Sequence, residues 1–240
     1  MPTISGMRRR GIPPDAIRNF CEKVGVSKRE NIIDFALLDF CTREVLNKTA
    51  YRLMVVLDPV ELEITNYPEG KNEILTAENN QEDSSYGTRE VSFSKNLFIE
   101  REDFKEEFNR KYFRLSIGKE VRLKNGYIIM GDSVEKDKNG KITKILCTYD
   151  PKSRSGSGTE ESLRKVKGTI HWVDKNNHEM IDINLYDRLF KIESPDENKE
   201  VDFKTYINEN SLIKVKNVCA ESNIKNVSFD NYYQFQRKGY

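Results

Sequence analysis

The sequence is poor in the side chains that most enzymes use for catalysis. Its 240 residues include only two histidines, His171 and His178, and neither of the common glycine-rich phosphate-binding loops. Its four cysteines are far apart and form no C-x-x-C pair, which is too little Cys/His convergence for a zinc site. These absences argue against a self-contained hydrolase or nucleotide-using enzyme, and we expect no catalytic residue, metal or cofactor in this chain.

The chain also lacks long apolar runs and an excess of one charge. No window approaches the roughly 20 consecutive apolar residues of a membrane-spanning helix, and residues 1–6 contain no apolar signal core. We therefore expect a soluble, cytoplasmic protein with reduced, inert cysteines. The net charge is only +1, so any nucleic-acid surface must come from local clusters of basic residues.

The composition is polar, with 33% charged residues, 37% hydrophobic residues and a mean hydropathy of −0.72. A chain of 240 residues is long enough for two or three small modules or one larger domain. At this polarity, a core divided among small modules fits better than one large globule.

The first fifty residues predict a helical subdomain. Pro13 and Pro14 suit a helix start, apolar residues recur at positions 17, 20, 21 and 24, and Gly25 ends the pattern. Ser27 and Glu30 form an S-x-x-E capping box, which predicts that a second helix begins there. We expect two short amphipathic helices joined by a glycine turn.

From Arg52 onward the pattern changes to short strands separated by turns. Asn139-Gly140 lies between two apolar runs and predicts a β-hairpin with a type I′ turn. The predicted strands cover residues 53–57, 61–64, 91–100, 111–117, 120–123, 127–130, 142–149, 168–173, 181–186, 212–218 and 232–236. Because no helices are interleaved, the pattern favours β-barrels over a parallel sheet.

Two polar stretches interrupt this pattern. Residues Pro151–Arg164 are rich in serine and glycine and carry both charges, so we expect them to bury little surface and to be mobile. Residues Glu193–Glu209 are mostly acidic and are predicted to be solvated.

Basic residues are densest between positions 110 and 124, where Glu120 is the only acidic residue. They are Arg110, Lys111, Arg114, Lys119, Arg122 and Lys124. Basic groups beside aromatic rings are typical of surfaces that bind single-stranded RNA, because planes stack on bases while charges hold phosphates. Solvated charged strand faces are equally common, so the stretch alone leaves that alternative open.

The remaining conspicuous side chains are expected to be structural. His171 and Trp172 are predicted to lie in the core, and His178 in a turn. The aromatic residues near the C-terminus are expected to pack. Gln234 and Arg237 beside them are candidates for contacts with base edges or phosphates.

Several strings are specific enough to indicate a family. They are M-R-R-R-G at 7–11, L-N-K-T-A-Y-R at 46–52, G-K-E-V-R-L at 118–123, K-V-K-G-T-I-H-W at 165–172 and L-Y-D-R-L-F at 185–190. Taken in order, they resemble the C-terminal, anticodon-binding half of glutaminyl-tRNA synthetases, and the resemblance covers essentially the whole chain. It implies a mainly β protein in which an N-terminal helical subdomain is followed by two β-barrels that hold the anticodon loop with its bases unstacked.

The resemblance also implies domain boundaries. Residues 1–50 would form the helical subdomain. Residues 51–110 together with 191–240 would form the proximal barrel, and residues 111–190 the distal barrel.

Roles in RNA binding follow from the same resemblance. Arg52 matches the residue that contacts the middle anticodon base, with Gln234 in the same pocket. Arg114 matches the residue at the third base, and Arg122 lies in the same binding wall. The other candidates near the anticodon loop are Asn47, Lys111, Lys124 and Arg237.

The sequence departs from the family pattern at several of these positions. Tyr51 stands where proline usually precedes Arg52. Lys124 stands where the family often has the arginine for the first anticodon base, and lysine cannot form the same two-pronged contact. Lys111 and Phe113 replace glutamine and lysine. These changes weaken individual assignments more than the overall role.

The catalytic signatures H-I-G-H and K-M-S-K of the family do not occur in these 240 residues. The resemblance therefore implies a C-terminal fragment that is inactive alone, while the intact ligase would join glutamine to tRNA using ATP and Mg²⁺. The expected partners are the anticodon arm of tRNA-Gln and the catalytic domain of the same chain. We expect a monomer that binds neither DNA nor membranes.

Two alternatives stay open at this point. One is a protein-interaction or scaffold module whose basic strands bind a protein partner. The other is the glutamyl-specific relative, which shares the double-barrel plan. The string G-T-I-H-W favours glutamine, by resemblance alone.

Overall fold

The structure is a computed structural model that describes residues 3–29, 31–107 and 111–240. Strands account for 36% and helices for 21%, which confirms the predicted mainly β class with a short N-terminal helical region. The helices of the described residues are α1 (Ile4–Arg9), α2 (Pro14–Val24), α3 (Ala36–Thr49) and α4 (Glu160–Leu163). In this part of the chain, no helix is both long enough and apolar enough to cross a membrane.

The strands are short, and most are joined by turns. They are β1 (Tyr51–Leu53), β2 (Val55–Val56), β3 (Pro59–Ile64), β4 (Glu73–Glu78), β5 (Thr88–Phe93), β6 (Asn96–Glu100), β7 (Phe104–Lys105), β8 (Leu115–Ser116), β9 (Glu120–Leu123), β10 (Ile128–Lys136), β11 (Ile142–Tyr149), β12 (Thr169–Ile170), β13 (Trp172–Asp174), β14 (His178–Tyr186), β15 (Leu212–Glu221) and β16 (Tyr233–Phe235).

The chain divides into two compact units. The first, here the helical unit, comprises Met1–Met54, Asn72–Phe93 and Ser222–Tyr240. The second, here the barrel unit, comprises Val55–Lys71 and Ser94–Glu221. The boundaries predicted for a proximal and a distal barrel stay a prediction.

One apolar cluster of the helical unit lies around α2 and α3. It consists of Ile12, Ala16, Leu38 and Cys41, with partly buried apolar side chains packed around it. Helix α2 begins and ends as predicted: Pro14 is its first residue, and Gly25 follows its last turn with φ of 69°. That left-handed conformation is one that glycine adopts without steric cost.

Helix α3 does not begin at Ser27, so that prediction was wrong. The Ser27 hydroxyl accepts a hydrogen bond from the Arg29 N–H, and Glu30 lies outside the described residues. The helix begins at Ala36, where the Asp34 carboxylate accepts the Ala36 N–H. The Asp34 carboxylate thus satisfies one of the first-turn N–H groups, while Phe35, the residue before the helix, makes no side-chain capping hydrogen bond.

Two small sheets complete the helical unit. Strands β1 and β16 pair in parallel although they come from opposite ends of the sequence. Strands β4 and β5 form an antiparallel hairpin from Glu73 to Phe93. The Arg52 N–H donates to the Asn79 carbonyl, which joins the two sheets within this unit.

The main sheet of the barrel unit is a nearly closed barrel. Its seven strands run in the order β12-β9-β10-β11-β3-β6-β13. The two edge strands, β12 and β13, follow one another in the chain with only His171 between them. This single residue therefore joins the two edges of the sheet, and the predicted strand 168–173 is divided at that point.

Buried apolar side chains alternate with more exposed residues along the barrel strands, and the buried ones fill the interior of the barrel. In β3, Val60, Leu62 and Ile64 are buried, while the residues between them are only partly covered. Trp172 and Ile170 contribute fully buried side chains from the two edge strands. The predicted core positions of His171 and Trp172 are thus confirmed, with His171 only 1% exposed.

The predicted hairpin around Asn139-Gly140 is present, but its turn is of another type. Strands β10 and β11 pair in antiparallel fashion, and Lys138–Gly140 form a three-residue loop closed by hydrogen bonds between Asp137 and Lys141 and between Gly140 and Asp137. Gly140 alone takes the left-handed conformation, with φ of 78°. This is a type I turn followed by a bulge, the usual solution for three-residue loops.

The serine- and glycine-rich stretch Pro151–Arg164 is largely exposed, as predicted, but it is tied to the barrel by hydrogen bonds, and its predicted mobility stays a prediction. Ser153 is fully buried, and its hydroxyl accepts the Ile128 N–H and donates to the Asp150 carbonyl. Ser155 donates to the Gly126 carbonyl from both its N–H and its hydroxyl. The stretch Glu193–Glu209 is also largely exposed, as predicted.

Candidate nucleic-acid interface

The eight side chains predicted to contact RNA fall into two groups of four. The helical unit holds Asn47, Arg52, Gln234 and Arg237. The barrel unit holds Lys111, Arg114, Arg122 and Lys124.

In the helical unit, Arg52 and Gln234 are brought together by strand pairing. Arg52 on β1 stands opposite Gln234 on β16 in the parallel register. The β16 segment is fixed further by the Gln236 N–H, which donates to the Leu53 carbonyl. Two residues assigned to one base pocket by resemblance therefore occupy paired positions.

Tyr240 joins two more of the predicted side chains. The Gln234 amide Nε2 donates to the Tyr240 hydroxyl over 2.8 Å, and that hydroxyl donates to the Asn47 carbonyl oxygen Oδ1. Burial raises the pKa of the Tyr240 phenol, which favours the protonated form that donates this hydrogen bond. Tyr240 was not predicted as a site residue: packing was predicted for the aromatic residues of 232–237, and no role was assigned to Tyr240.

The Arg52 side chain caps the C-terminus of α3. Its terminal nitrogens donate to the Ala50 carbonyl over 2.7 Å and to the Asn47 carbonyl over 2.6 Å. The buried Asn80 amide donates to the Lys48 and Ala50 carbonyls in the same place. Carbonyls at a helix C-terminus lack partners within the helix and attract cations, so Arg52 and Asn80 stabilise this end of α3.

Arg237 differs from its neighbours in conformation. Its φ is 68°, in the left-handed region that is uncommon for residues other than glycine, and its side chain is exposed. It follows the buried Gln236 directly. A tight turn thus presents Arg237 at the surface of the helical unit.

In the barrel unit, Arg114 is anchored by a buried carboxylate. Its Nε lies 3.0 Å from Asp103 Oδ1, and the Asp103 side chain is 1% exposed, whereas the Arg114 side chain is 36% exposed. The Tyr112 hydroxyl donates to the nearby Glu102 carbonyl. Arg114 Nη1 also donates to the Phe113 carbonyl, and these contacts hold the segment before β8 against the turn at Arg101–Asp103 while the Arg114 side chain stays partly exposed.

Next to Arg114, an aromatic ring is exposed among cations. Phe113 is 48% exposed, and the Lys167 ammonium lies 5.7 Å from the centre of its ring. Lys111 is exposed two residues earlier, and Arg110 lies outside the described residues. The segment is tightly packed from beneath, because a Cβ on Gly168 would meet the Phe113 carbonyl oxygen at 2.5 Å.

Arg122 is used as a clamp on the segment that follows β11. Its guanidinium donates to the Ser153 carbonyl (2.9 Å), the Ser155 hydroxyl (3.2 Å), the Ser162 carbonyl (2.9 Å) and the Arg164 carbonyl (3.2 Å). Burial, and secondarily the charge of Arg164, lowers the pKa of Arg122. The segment is held from its other side by ion pairs of Arg164 with Glu120 and Asp150.

Lys124 is positioned by its backbone at the edge of the barrel. Its N–H donates to the Ile170 carbonyl over 2.9 Å, and its carbonyl accepts the indole N–H of the buried Trp172 over 2.9 Å. The side chain is partly exposed. These backbone hydrogen bonds to Ile170 and Trp172 thus fix the position from which the Lys124 side chain extends.

The chemistry of both groups suits RNA. Amide, phenol and guanidinium groups in the helical unit can hydrogen-bond base edges, while cations around an exposed ring in the barrel unit can hold phosphates and stack on a base. Among the described residues, no three or more His, Cys, Asp or Glu side chains lie together as a metal site.

A mainly β chain with a nearly closed barrel and these polar groups has features suited to an RNA-binding domain. Comparison with protein families makes the assignment specific. Residues 50–150 and 169–240 match the two models described as tRNA synthetases class I (E and Q), anti-codon binding domain, and the chain belongs to this family. An anticodon-binding domain of a synthetase binds tRNA, as predicted from the resemblance.

The similar curated proteins are named Glutamine--tRNA ligase. The chain is 48% identical to the protein from Proteus mirabilis, 47% to that from Rhodopirellula baltica and 48% to that from Clostridium perfringens, in each case over 100% of this chain. It spans 42%, 40% and 43% of those proteins, in their C-terminal part.

Proposed function

We propose that this chain recognises the anticodon arm of tRNA-Gln as part of a glutamine–tRNA ligase. The observation that carries the proposal is the register of β1 and β16, which sets Arg52 opposite Gln234. Residues that resemble two readers of one anticodon base must be neighbours if they are to read it together. The names of the similar proteins support glutamine as the amino acid over the glutamyl alternative.

Recognition works through two kinds of contact. Around Arg52, the amides of Gln234 and Asn47 and the Tyr240 hydroxyl present donors and acceptors to the edge of an unstacked base. In the barrel unit, the partly exposed Arg114 guanidinium and the Lys124 ammonium bind phosphates, and the Phe113 ring stacks on a base. Base-edge contacts supply specificity, whereas phosphate contacts supply most of the affinity.

In this proposal, Arg52 itself hydrogen-bonds the middle anticodon base. Two of its N–H groups are already used to cap α3, and the residue is only 5% exposed. Arginine has five N–H donors, so a base can be read through those that remain. The cap holds the guanidinium at a fixed place opposite Gln234.

The whole-protein activity is part of the same proposal. The intact ligase would join glutamine to tRNA-Gln with ATP and Mg²⁺ bound by a catalytic domain that these residues do not resemble. The role of the present residues is to bind the anticodon arm, and they take no part in the bond-forming step.

Footprinting tests the class of the protein. The chain is mixed with tRNA-Gln, and backbone cleavage of the RNA is compared with and without protein. We expect protection confined to the anticodon arm, with affinity that falls steeply as salt is raised. Protection of the acceptor stem alone, or no binding at low salt, would refute the proposal and support the scaffold alternative.

Substitution tests the reading roles. Arg52→Ala and Gln234→Ala should each weaken cognate tRNA binding by about 5- to 150-fold, since a lost specific hydrogen bond costs about 1 to 3 kcal/mol. For a tRNA changed at the middle anticodon base, the two substitutions should weaken binding much less. Arg18→Ala, which removes an exposed arginine of α2, is the matched control and should change neither affinity. Equal weakening of both tRNAs by both variants would remove these residues from base reading.

A further inference from the structure

Resemblance places Arg122 among the side chains that touch RNA, but its hydrogen bonds are directed elsewhere. An arginine has four N–H groups on its two terminal nitrogens and a fifth on Nε. Nη1 donates to the Ser153 carbonyl and the Ser155 hydroxyl, and Nη2 donates to the Ser162 and Arg164 carbonyls. All four terminal N–H groups are thus used inside the protein, so a two-pronged contact with a base or phosphate would require breaking them.

The four acceptors of Arg122 lie in one short stretch of the chain. They all belong to the clamped segment, defined here as residues 151–165, which carries the basic residues Lys152, Arg154, Arg164 and Lys165. Ser153 lies between Lys152 and Arg154, and Arg164 directly precedes Lys165. One guanidinium therefore fixes both ends of the segment at the points where its basic residues occur.

The basic side chains themselves face solvent. Lys152, Arg154 and Lys165 are exposed, whereas Ser153 between the first two is fully buried. Arg164 is engaged by Glu120. A segment pinned by its serines and pointing lysine and arginine side chains outward is built to present cations at fixed positions, as a phosphate-binding surface requires.

We propose that Arg122 is a positioning residue, and that the clamped segment it holds binds RNA phosphates through Lys152, Arg154 and Lys165. This inference rests on the proposed function, because it takes tRNA as the partner, and it adds a surface that the predicted site residues did not include. The serine- and glycine-rich composition has a role here: small side chains bring the backbone close enough for one arginine to reach four acceptors.

The test uses the salt dependence of tRNA-Gln binding to the 240-residue chain. Each phosphate contact contributes about 0.7 to the slope of log affinity against log salt for single-stranded RNA. Replacing Lys152, Arg154 and Lys165 together by alanine should lower the slope by about 2. A control that removes the exposed Lys138, Lys214 and Lys216 of the same unit should leave the slope near that of the unchanged chain. A wild-type slope in the first variant, or an equal fall in the control, would overturn the phosphate surface.

Arg122 itself is tested by two substitutions. Arg122→Lys keeps the charge but cannot make four planar hydrogen bonds, and Arg122→Ala removes both. If Arg122 acts by positioning, both variants should lose about tenfold or more in affinity at low salt and about 2 in slope. If it acts as a direct charge contact, Arg122→Lys should bind like the unchanged chain and Arg122→Ala should lose about 0.7 in slope, and the inference would be wrong.

Hydrogen exchange separates the clamp from the RNA. The Ser155 N–H donates to the Gly126 carbonyl, and the Leu163 N–H donates to the Thr159 carbonyl. Both amides should exchange faster in the two Arg122 variants and at the unchanged rate in the triple lysine–arginine variant. Unchanged exchange in Arg122→Ala would refute the clamp. This measurement needs no RNA, so it stands even if tRNA binding itself were absent.

Discussion

Two arginines that match RNA-binding positions, Arg52 and Arg122, use terminal N–H groups to bind backbone carbonyls of the protein. Arg52 caps the last carbonyls of α3, and Arg122 holds the clamped segment. A guanidinium suits this role because its planar donors reach several acceptors at once and its charge is retained when partly buried. A motif match therefore locates an arginine in the sequence, but its hydrogen-bond partners in the structure determine whether it contacts RNA or holds the protein backbone.

The four cysteines also differ by their surroundings. Cys21 is exposed, while Cys41, Cys147 and Cys219 are buried. Burial raises the pKa of the Cys147 thiol strongly and that of Cys219 to about 11. The reactive species is the thiolate, so the two thiols are protected by both burial and protonation.

We predict that a thiol reagent at neutral pH labels one of the four cysteines of the folded chain quickly. The other three should react only after denaturant is added. Labelling is followed by absorbance or by mass. Cys21→Ser should abolish the fast phase, and a second thiol reacting as quickly as Cys21 would contradict the buried placements.

At the scale of elements, short polar side chains determine where helices and turns begin. Asp34 accepts a first-turn N–H of α3, and Asp137 organises the turn between β10 and β11. The Asp137 carboxylate accepts the N–H groups of both Asn139 and Lys141. Such local hydrogen bonds satisfy backbone groups that the strand ladder no longer reaches.

Asp137→Ala should therefore destabilise the barrel unit by about 0.5 to 1.5 kcal/mol, the usual net value of an intramolecular hydrogen bond. Trp172, the only tryptophan, is fully buried in the barrel, so its fluorescence during urea unfolding reports on this unit. Lys138→Ala changes an exposed neighbour and should stay within about 0.5 kcal/mol. Equal losses in the two variants would show that the Asp137 bonds do not stabilise the turn.

At the scale of the whole molecule, the chain spans 42% of the Proteus mirabilis ligase it matches. Its 240 residues contain neither H-I-G-H nor K-M-S-K. We predict that this chain alone shows no glutamine-dependent exchange between ATP and pyrophosphate, because the nucleotide-binding signatures are missing from it. The full-length ligase of Proteus mirabilis is the positive control, and detectable exchange by the chain would contradict the prediction.

Much of the fold follows from local sequence. The start of α2 at Pro14 and its end before Gly25, strand β9 at Glu120–Leu123 and the hairpin of β10 and β11 were all predicted from residue patterns. Helix α3 was misplaced because Ser27 and Glu30 match the capping-box pattern, whereas the helix begins at Ala36. There, Leu38 and Cys41 of α3 pack with Ile12 and Ala16, a contact between residues far apart in sequence that no local pattern shows.

The sequence by itself determined the family, the mainly β class and the identities of the polar residues, because motifs and alternation are properties of the chain in one dimension. Resemblance had already placed Arg52 and Gln234 in one pocket, but only the tertiary structure gave the strand pairing that makes them neighbours and decided which donors are already occupied. Pairing of β1 with β16 brings Arg52 to Gln234 and Tyr240 across most of the chain. The serine-rich segment folds onto Arg122 and occupies the terminal N–H groups of this arginine. Hydrogen-bond partners far apart in sequence depend on the packed arrangement, so no local pattern can reveal them.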